Sequence, residues 1–498
     1  MVLSSFKKKE TVLEKTHEQA PEDGESEKSA QLNAQTSNAG ESPCVDEESG
    51  PQAISAESSE DVEDPKNYPD GGWRAYLVVF GSFLGLTVDF GFINSIGAVQ
   101  SYLNLHQLAD IPTGTSSYIF SVFVLMTYVF CALGGVLFDE LGPKVPTGIG
   151  AIITFFGMFF TGNCNSVGSF TGTFGICIGF GLAVISGPLT GVISHWFYRN
   201  RSKAFALATL GGSVGGIVFP LILNRLYIVV GFTWAMRILA FVCLVMNGGA
   251  CLLVSGRRSK IASEDEKARV VALKSGNNRS RAVLDELKVV CCKVVDFKAL
   301  KEIPYLFCTI GIGFSDLALV GISTYFPSFV TYIGYSETKA NSTITITNAM
   351  GILGRYLPGI LADRIGPYNV MIMMMAGATL SVLFLWLCWG VTSQSMTSVY
   401  VFSVIYGFFD SSVLSLVPSC IGAVSPTSKF GQRYGTSYLC AGLIIFGGVI
   451  GGGAIIGEES LLHYKYFSAF VGALYGASTI CYVICRFKLV GCKLRVRV

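Results

Sequence analysis

Apolar stretches long enough to cross a membrane recur at nearly regular spacing from Arg74 onward. A bilayer hydrocarbon core about 30 Å thick requires roughly 20 helical residues to span it. Backbone groups inside lipid must pair within their own segment, so each stretch is expected to be a helix. The predicted fold class is an all-α membrane protein with twelve transmembrane helices. The spans are predicted near 74–98, 115–137, 145–163, 168–194, 203–229, 232–254, 304–331, 340–361, 368–391, 398–422, 434–457 and 464–485.

Charge is scarce in this chain and unevenly distributed. Charged residues make up 14% of the 498 residues, against about 25% in soluble domains. Residues 1–72 hold six Lys against seventeen Asp and Glu, a net charge of −11; the whole chain is +2, which leaves +13 on the remainder. Basic loops beside anionic lipid account for that excess. No basic face interleaved with exposed aromatics suggests nucleic-acid binding, so the expected partner is the lipid bilayer.

The longest polar interruption divides the spans six and six. Residues 255–303 hold twelve Lys and Arg against seven acidic residues, and the short loops on the same side of the topology are also basic. The positive-inside rule therefore places both termini and this segment in the cytosol. The predicted domains are a disordered acidic cytosolic tail (1–72), an N-terminal six-helix bundle (73–254), a basic cytosolic linker (255–303), a C-terminal six-helix bundle (304–485) and a basic cytosolic tail (486–498).

One ten-residue motif occurs in both halves. Residues 135–144 read GVLFDELGPK and residues 359–368 read GILADRIGPY, so that identical residues recur 224 positions later. A turn that merely needs Gly and Pro would explain one copy but not two. The motif resembles the signature loop of the major facilitator superfamily, which has two parallel six-helix halves. The resemblance implies that a helix-capping Asp in each loop gates the inner side, and the candidate gate residues are Asp139, Gly142, Asp363, Arg364 and Gly366.

Two further segments resemble the monocarboxylate-porter family of that superfamily. Residues 69–83 read PDGGWRAYLVVFGSF, which matches the family's acidic residue, Gly-Gly and aromatic before the first span. Residues 195–220 read HWFYRNRSKAFALATLGGSVGGIVFP, with Asn200 where a second Arg is usual. The paired glycines of this segment form small-xxx-small steps, which predict close packing of the fifth span against a neighbour.

Within the fungal branch of this family, the chain looks most like the yeast riboflavin uptake transporters. The segments concerned are GGSVGGIVFP, GRYLPGILADRIGPYNV and KFGQRYGTSY, and the likeness extends over nearly all of 69–498. It implies a secondary transporter that works by alternating access, with riboflavin uptake as the expected function. The alternative is a proton-coupled monocarboxylate transporter. The expected partners are one small-molecule substrate, riboflavin or a monocarboxylate, and the bilayer, with the carrier expected to be monomeric.

Four ionisable residues are predicted deep inside spans. An ionisable group there costs at least ~2.5 kcal/mol, so it usually faces the bundle interior and has a function. Arg355 matches the family's Arg in the eighth span, which in carboxylate porters meets the substrate anion. Gly351 stands where that family has an Asp, which weakens the case for lactate-type proton coupling. The candidate substrate-binding charges are Asp89, Asp316, Arg355 and Asp410, with Asp316 the expected charge partner of Arg355.

Aromatic residues near these charges could line the site. A flavin ring system needs flat apolar walls and a few hydrogen-bond partners. An aromatic residue in a span more often packs in the core or faces lipid, so each candidate competes with that role. The candidates are Phe92, Tyr325 and Tyr406.

Other classes of protein find little support. The chain contains no HExxH motif, and its fifteen Cys form no metal-binding spacing, so no enzyme activity, cofactor or metal site is predicted. A channel or a non-transporting nutrient receptor would need the same spans, but the repeated signature loop favours a carrier. The expected location is the plasma membrane, with the vacuolar membrane as the alternative.

The topology generates the first testable prediction. An epitope tag inserted within 255–303 should be reached by antibody only after the cells are permeabilised, because the positive-inside rule places this segment in the cytosol. Immunofluorescence of intact and permeabilised cells measures this. A tag in the predicted outer loop 458–463 serves as the control, and labelling of the 255–303 tag in intact cells would reverse the topology.

Overall fold

The structure is a computed structural model that describes residues 68–111, 113–257, 294–457 and 460–491. Most of the predicted acidic tail (1–72), most of the predicted linker (255–303) and the end of the predicted basic tail (486–498) lie outside the described residues. The described part is helical throughout, as the apolar spans predict.

Ten helices among the described residues are long and apolar enough to cross a membrane. One of them, Arg201–Leu253, is a pair of helices joined without a loop. At 1.5 Å per residue, its 53 residues would extend about 80 Å, far beyond a hydrocarbon core of ~30 Å. The backbone breaks at Gly231, where φ is 72°. Gly211 and Ala250 both pack against the first helix, so the two arms run antiparallel.

One further helix is long enough to cross the membrane, but its sequence is less apolar than those of the ten. Glu337–Ile365 is 29 residues long but carries many polar and charged residues. It is shielded from lipid on one side because it packs against the arm that begins at Arg201 and against helices of its own half. The twelve spans are α1 Trp73–Ile93, α2 Thr115–Leu141, α3 Lys144–Thr161, α4 Val167–Ser194, α5 201–230, α6 232–253, α7 Ile303–Tyr332, α8 Glu337–Ile365, α9 Pro367–Ser393, α10 Met396–Ala423, α11 Phe430–Ile456 and α12 Leu461–Val490.

The first span ends earlier at its outer end than the sequence predicts. Instead of running to residue 98, α1 stops at Ile93 and a separate helix covers Ile96–Leu105. At the break, the Ser95 hydroxyl donates to the Gly91 carbonyl at 2.6 Å. The Asn94 side chain donates to a carbonyl of α5 at 3.3 Å. Such side-chain bonds to the backbone compete with helix continuation.

The two halves meet along two helix pairs, α2 with α11 and α5 with α8. Both contacts depend on glycine. A methyl group on Gly435 of α11 would overlap the Ala132 backbone of α2, and one on Gly359 of α8 would overlap the Ala206 side chain of α5. Small residues let helix backbones approach closely where lipid supplies no hydrophobic driving force. Within the N-terminal half, Gly211 and Gly215 pack α5 on α1 in the same way, as the sequence predicts.

The α2–α11 contact generates a prediction with a control on the same helix. Gly435→Ala should lower the free energy of unfolding by about 1–3 kcal/mol, the usual cost of overpacking. Gly447→Ala gains the same helix propensity, but nothing lies within 4 Å of the added methyl group. The thermal denaturation midpoints of the purified proteins should therefore fall for Gly435→Ala alone. Equal midpoints would show that the contact tolerates a methyl group.

Candidate substrate site and gate

The first signature loop contacts the opposite half of the protein. The Asp139 carboxylate, near the end of α2, accepts hydrogen bonds from the backbone N–H groups of Gly431 at 3.0 Å and Gln432 at 2.6 Å. These two N–H groups belong to the first turn of α11, where the helix itself supplies no acceptor. The carboxylate also lies at the positive end of the helix dipole. Asp139 therefore caps a helix of the C-terminal half.

The second signature loop makes the reciprocal contact. The Asp363 carboxylate, near the end of α8, accepts hydrogen bonds from the N–H groups of Ser202 and Lys203, each at 2.9 Å. These residues form the first turn of α5 in the N-terminal half. The signature Asp residues thus cap helices across the interface in both directions. We call this pair of caps the gate, and the face on which it lies, which carries the loops with Arg199, Lys203 and Lys429, the basic side.

Glycine ends both helices of the signature motif in the same backbone conformation. Gly142 follows α2 with φ 79°, and Gly366 follows α8 with φ 98°, values that only glycine adopts readily. Each glycine ends its helix three residues after the signature Asp. Arg364, predicted as part of the gate, is exposed and takes no part in either cap.

The two family-like segments of the N-terminal half contact each other. The Asp70 carboxylate accepts from the backbone N–H groups of Tyr198 and Arg199, each at 2.7 Å, and the Asp70 N–H donates to the Trp196 carbonyl at 3.0 Å. The loop that leads into α5 is therefore held by Asp70 from its own half, and the helix start by Asp363 from the other. Trp73, next in the motif, is 78% exposed, as an interfacial anchor should be.

Arg355 lies buried at the interface of the halves. It is 2% exposed, and its Nη1 donates to the carbonyl of Thr209 in α5, on the opposite half. Gly212 of α5 leaves the space for this, because a methyl group there would lie 2.7 Å from the guanidinium. The carboxylate that acts on Arg355 is Asp410 of α10. Within the described residues, Nε of Arg355 has no hydrogen-bond partner.

The sequence predicts Asp316 as the charge partner of Arg355, but the structure does not bring the two side chains together. Asp316 is fully buried, and one of its carboxylate oxygens accepts from the Tyr128 hydroxyl of α2 at 3.4 Å. Its electrostatic neighbour is Asp410. The prediction used nearness along the chain, whereas α7 turns this carboxylate toward α2 and α10 supplies the partner of Arg355.

Asp410 and Tyr406 form a hydrogen-bonded group with α12. The Tyr475 hydroxyl donates to the Asp410 carboxylate at 2.5 Å, and the hydroxyls of Tyr475 and Tyr406 lie 2.9 Å apart. Asp410 is 5% exposed and Tyr406 2%. A buried carboxylate is costly unless hydrogen bonds and an opposite charge compensate it, and Asp410 has both.

Asp89 has neither form of compensation. It is fully buried in α1, and both of its carboxylate oxygens are without a hydrogen-bond partner in the part of the chain that the structure describes. The Ser186 hydroxyl of α4 lies beside the carboxylate but does not meet hydrogen-bond geometry. Asp89 also acts electrostatically on Tyr434 of α11, so it faces the interface of the two halves.

Two of the three predicted aromatic residues lie away from these charges. Phe92 packs against Phe123 and Phe174, with ring centroids 5.9 and 5.4 Å away, inside the N-terminal bundle. Tyr325 donates to the Val449 carbonyl at 3.2 Å and packs on Phe467, in the C-terminal bundle.

Three tyrosines that the sequence interpretation missed surround the central carboxylates. Tyr434 and Tyr438 of α11 have ring centroids 4.6 Å apart, and Tyr438 stacks on Tyr128 at 5.6 Å. Spacing gave one signal, because two tyrosines four residues apart on a helix share a face.

The described residues contain no group of three or more His, Cys, Asp or Glu placed to hold a metal.

Comparison with known proteins establishes the class. The profile of the Major Facilitator Superfamily matches residues 75–449, which include both signature loops. The solved structure of the proton:xylose symporter XylE has the same fold, with a TM-score of 0.63 at 14% identity over 83% of this chain and 95% of that chain. The chain therefore belongs to the Major Facilitator Superfamily. It has the predicted architecture of twelve helices in two bundles, and it is a multi-pass membrane transporter rather than an enzyme.

The relatives include proteins of several named functions. The chain is 35% identical to the riboflavin transporter MCH5 of Saccharomyces cerevisiae over 449 residues, 88% of this chain and 82% of that protein. It is 28% identical to the MFS transporter asaE of Aspergillus flavus (92% and 95% covered) and to the aspyridones efflux protein apdF of Emericella nidulans (81% and 76% covered). Each of these names describes a transporter or an efflux protein, and the two that name a substrate name different ones.

The gate generates the next prediction. Asp139→Asn and Asp363→Asn should each slow transport about tenfold, because an amide has one acceptor oxygen for two N–H donors and loses the charge at the helix start. Equilibrium binding of the solute should change less, since the gate lies at the ends of the helices. Uptake rates and binding to purified protein measure the two effects. Asp110→Asn, in an exposed loop, is the control, and loss of binding with normal turnover would refute the assignment.

Proposed function

We propose that this protein takes up riboflavin across the plasma membrane by alternating access. The observation that carries the proposal is the 35% identity to a riboflavin transporter over 82% of that protein's length. The match includes both halves and therefore the whole central interface. The vacuolar membrane is the alternative location.

The central site supports a neutral substrate rich in hydrogen-bonding groups. Arg355 presents a planar set of donors, and its Nε is not used by the described protein groups. Ring carbonyls of a flavin are acceptors suited to such a fork. Asp410 is the carboxylate whose charge acts on Arg355, and a neutral ligand can bind beside the two without adding a new unpaired charge in the membrane interior.

The packing around Gly351 argues against the carboxylate-porter arrangement. A side chain at this position would overlap the Ser411 hydroxyl and lie 3.0 Å from the Ser213 hydroxyl. The Asp that carboxylate porters carry here therefore has no room. Two serines occupy the space instead and offer neutral hydrogen bonding.

A proton-coupled monocarboxylate transporter remains the second candidate because of one observation. Asp89, Asp316 and Asp410 are three carboxylates buried in spans, and the guanidinium of Arg355 acts on one of them, Asp410. Burial of an uncompensated carboxylate favours its protonated form, and a proton that moves with the solute would use that property.

We further propose how the parts act in one transport cycle. Each monomer works alone, with six-helix bundles at 73–254 and 304–485 that rock about the central site. In the present conformation the caps of Asp139 and Asp363 hold the basic side closed. Opening toward the cytosol requires both caps to break, so the gate alternates with the outer opening.

Arg355 provides the direct test. Arg355→Ala should reduce riboflavin uptake about 100-fold, because a charge-assisted hydrogen bond contributes ~1.5–3 kcal/mol and the buried Asp410 loses its counter-charge. Arg355→Lys should restore little, since an ammonium lacks the planar donors. Arg355→Gln should retain partial uptake of a neutral flavin through its amide donors. Labelled riboflavin uptake at equal surface level measures all three variants.

A matched control and a second substrate complete the experiment. Arg225→Gln changes an exposed arginine of α5 and should leave uptake unchanged. Wild-type riboflavin uptake in Arg355→Ala would disprove the role of Arg355. Uptake of lactate but not riboflavin by the unaltered protein would establish the monocarboxylate alternative.

A further inference from the structure

A group of buried oxygen atoms without partners lies on the N-terminal side of the central interface. These atoms are both carboxylate oxygens of Asp89 and the hydroxyls of Thr190, Tyr434 and Tyr438. None of the four residues is more than 5% exposed. Across the described residues, none of these atoms meets full hydrogen-bond geometry, although the hydroxyls of Thr190 and Tyr438 lie beside that of Tyr434 and the Ser186 hydroxyl lies beside Asp89. We call these four residues the hydroxyl cluster.

The members of the hydroxyl cluster come from both halves and adjoin one another. Asp89 and Thr190 belong to α1 and α4, whereas Tyr434 and Tyr438 belong to α11. Asp89 acts electrostatically on Tyr434, and Thr190 lies beside that same tyrosine. The rings of Tyr434 and Tyr438 lie 4.6 Å apart. The four residues of the cluster therefore form one site between the bundles.

The hydroxyl cluster continues into the charged part of the site. The Tyr438 ring stacks on Tyr128 at 5.6 Å, and the Tyr128 hydroxyl donates to Asp316 at 3.4 Å. Asp316 in turn neighbours Asp410, the carboxylate that acts on Arg355. A single elongated ligand could thus contact the guanidinium at one end and the cluster at the other.

The chemistry of the cluster specifies what that second end should be. A carboxylate accepts hydrogen bonds and its protonated form also donates one, whereas Tyr and Thr hydroxyls both donate and accept. Aliphatic hydroxyl groups match this set because each can donate to Asp89 and accept from a neighbouring hydroxyl. The flavin ring matches this set less well, since it offers a single donor, its N3–H, whereas every hydroxyl of a polyol chain can both donate and accept. Buried polar atoms normally make well-oriented hydrogen bonds, so four residues at one interface that fall short of that geometry indicate a ligand site.

We propose that the hydroxyl cluster is a polyol subsite that binds the ribityl chain of the flavin, opposite the guanidinium that meets the ring. The inference rests on the proposed function and adds a division of the site into two ends. The Asp89 carboxylate accepts from the chain hydroxyls, and Tyr434 and Tyr438 donate to and accept from them. Selectivity for riboflavin over flavins without the polyol chain arises here.

The test compares riboflavin with lumiflavin, which carries the same ring and a methyl group in place of the ribityl chain. Each unlabelled compound competes with labelled riboflavin for uptake, and the ratio of their apparent affinities is measured. Tyr434→Phe removes one hydroxyl and should weaken riboflavin binding about fivefold while leaving lumiflavin unchanged, the effect of one lost hydrogen bond. Asp89→Asn should lower the ratio of the apparent affinity for riboflavin to that for lumiflavin further than Tyr434→Phe does. Thermal stability should fall little in Tyr434→Phe, because this hydroxyl makes no well-oriented hydrogen bond to a described protein group.

The control is Tyr227→Phe, which removes another buried hydroxyl without a described partner, in a ring stacked 3.9 Å from Tyr102 and outside the cluster. It should preserve the riboflavin-to-lumiflavin ratio. An unchanged ratio in both Tyr434→Phe and Asp89→Asn, with riboflavin uptake intact, would overturn the polyol subsite and leave the proposed function standing. Equal weakening of both flavins would also overturn it. Absence of riboflavin uptake by the unaltered protein would overturn the proposed function and this inference together.

Discussion

The reciprocal capping of helices by Asp139 and Asp363 is the interaction on which the present conformation depends. Each carboxylate leaves its own half to satisfy two N–H groups at a helix start in the other half. The N–H groups in the first turn of a helix have no acceptor within that helix. Apart from the two carboxylates, only water could accept their hydrogen bonds. The glycine contacts between α2 and α11 and between α5 and α8 bring the helix starts within reach of the caps. Close packing and capping therefore require each other.

A symmetric scaffold carries an asymmetric centre. The signature motif repeats at a spacing of 224 residues, and this spacing relates Arg355 in α8 to Cys131 in α2. Both side chains are buried at the interface of the halves. The repeat thus explains the gate, in which each copy of the motif caps a helix of the other half. The residues at the centre are not repeated between the halves. One side holds a guanidinium with Asp410, and the other holds Asp89 with neutral hydroxyls, which suits a ligand with two chemically different ends.

The sequence was sufficient for the parts that depend on hydrophobicity or on local backbone chemistry. Span lengths follow from the apolar stretches, and even α8 was found, although its polar residues disqualify it by hydropathy alone. The signature Asp residues were identified because Gly142 and Gly366 repeat with them. The orientation of side chains inside a bundle was not predictable, because a buried span is apolar on most faces and its period does not indicate the inward one. Phe92 and Tyr325 were chosen on that weak basis, and Tyr128, Tyr434 and Tyr438 were missed.

The two caps of the gate hold the basic side closed by a small energy, which is what alternation between two conformations requires. A helix cap contributes about 1 kcal/mol, so the two caps together bias the closed basic side by an amount that a few hydrogen bonds can offset. A ligand shifts such an equilibrium only through its different affinity for the two conformations. Arg355 donates to Thr209 on the opposite half, and the hydroxyl cluster is divided between α1, α4 and α11. A solute that contacts both groups bridges the two bundles, so its binding energy depends on their relative position and can move them between conformations.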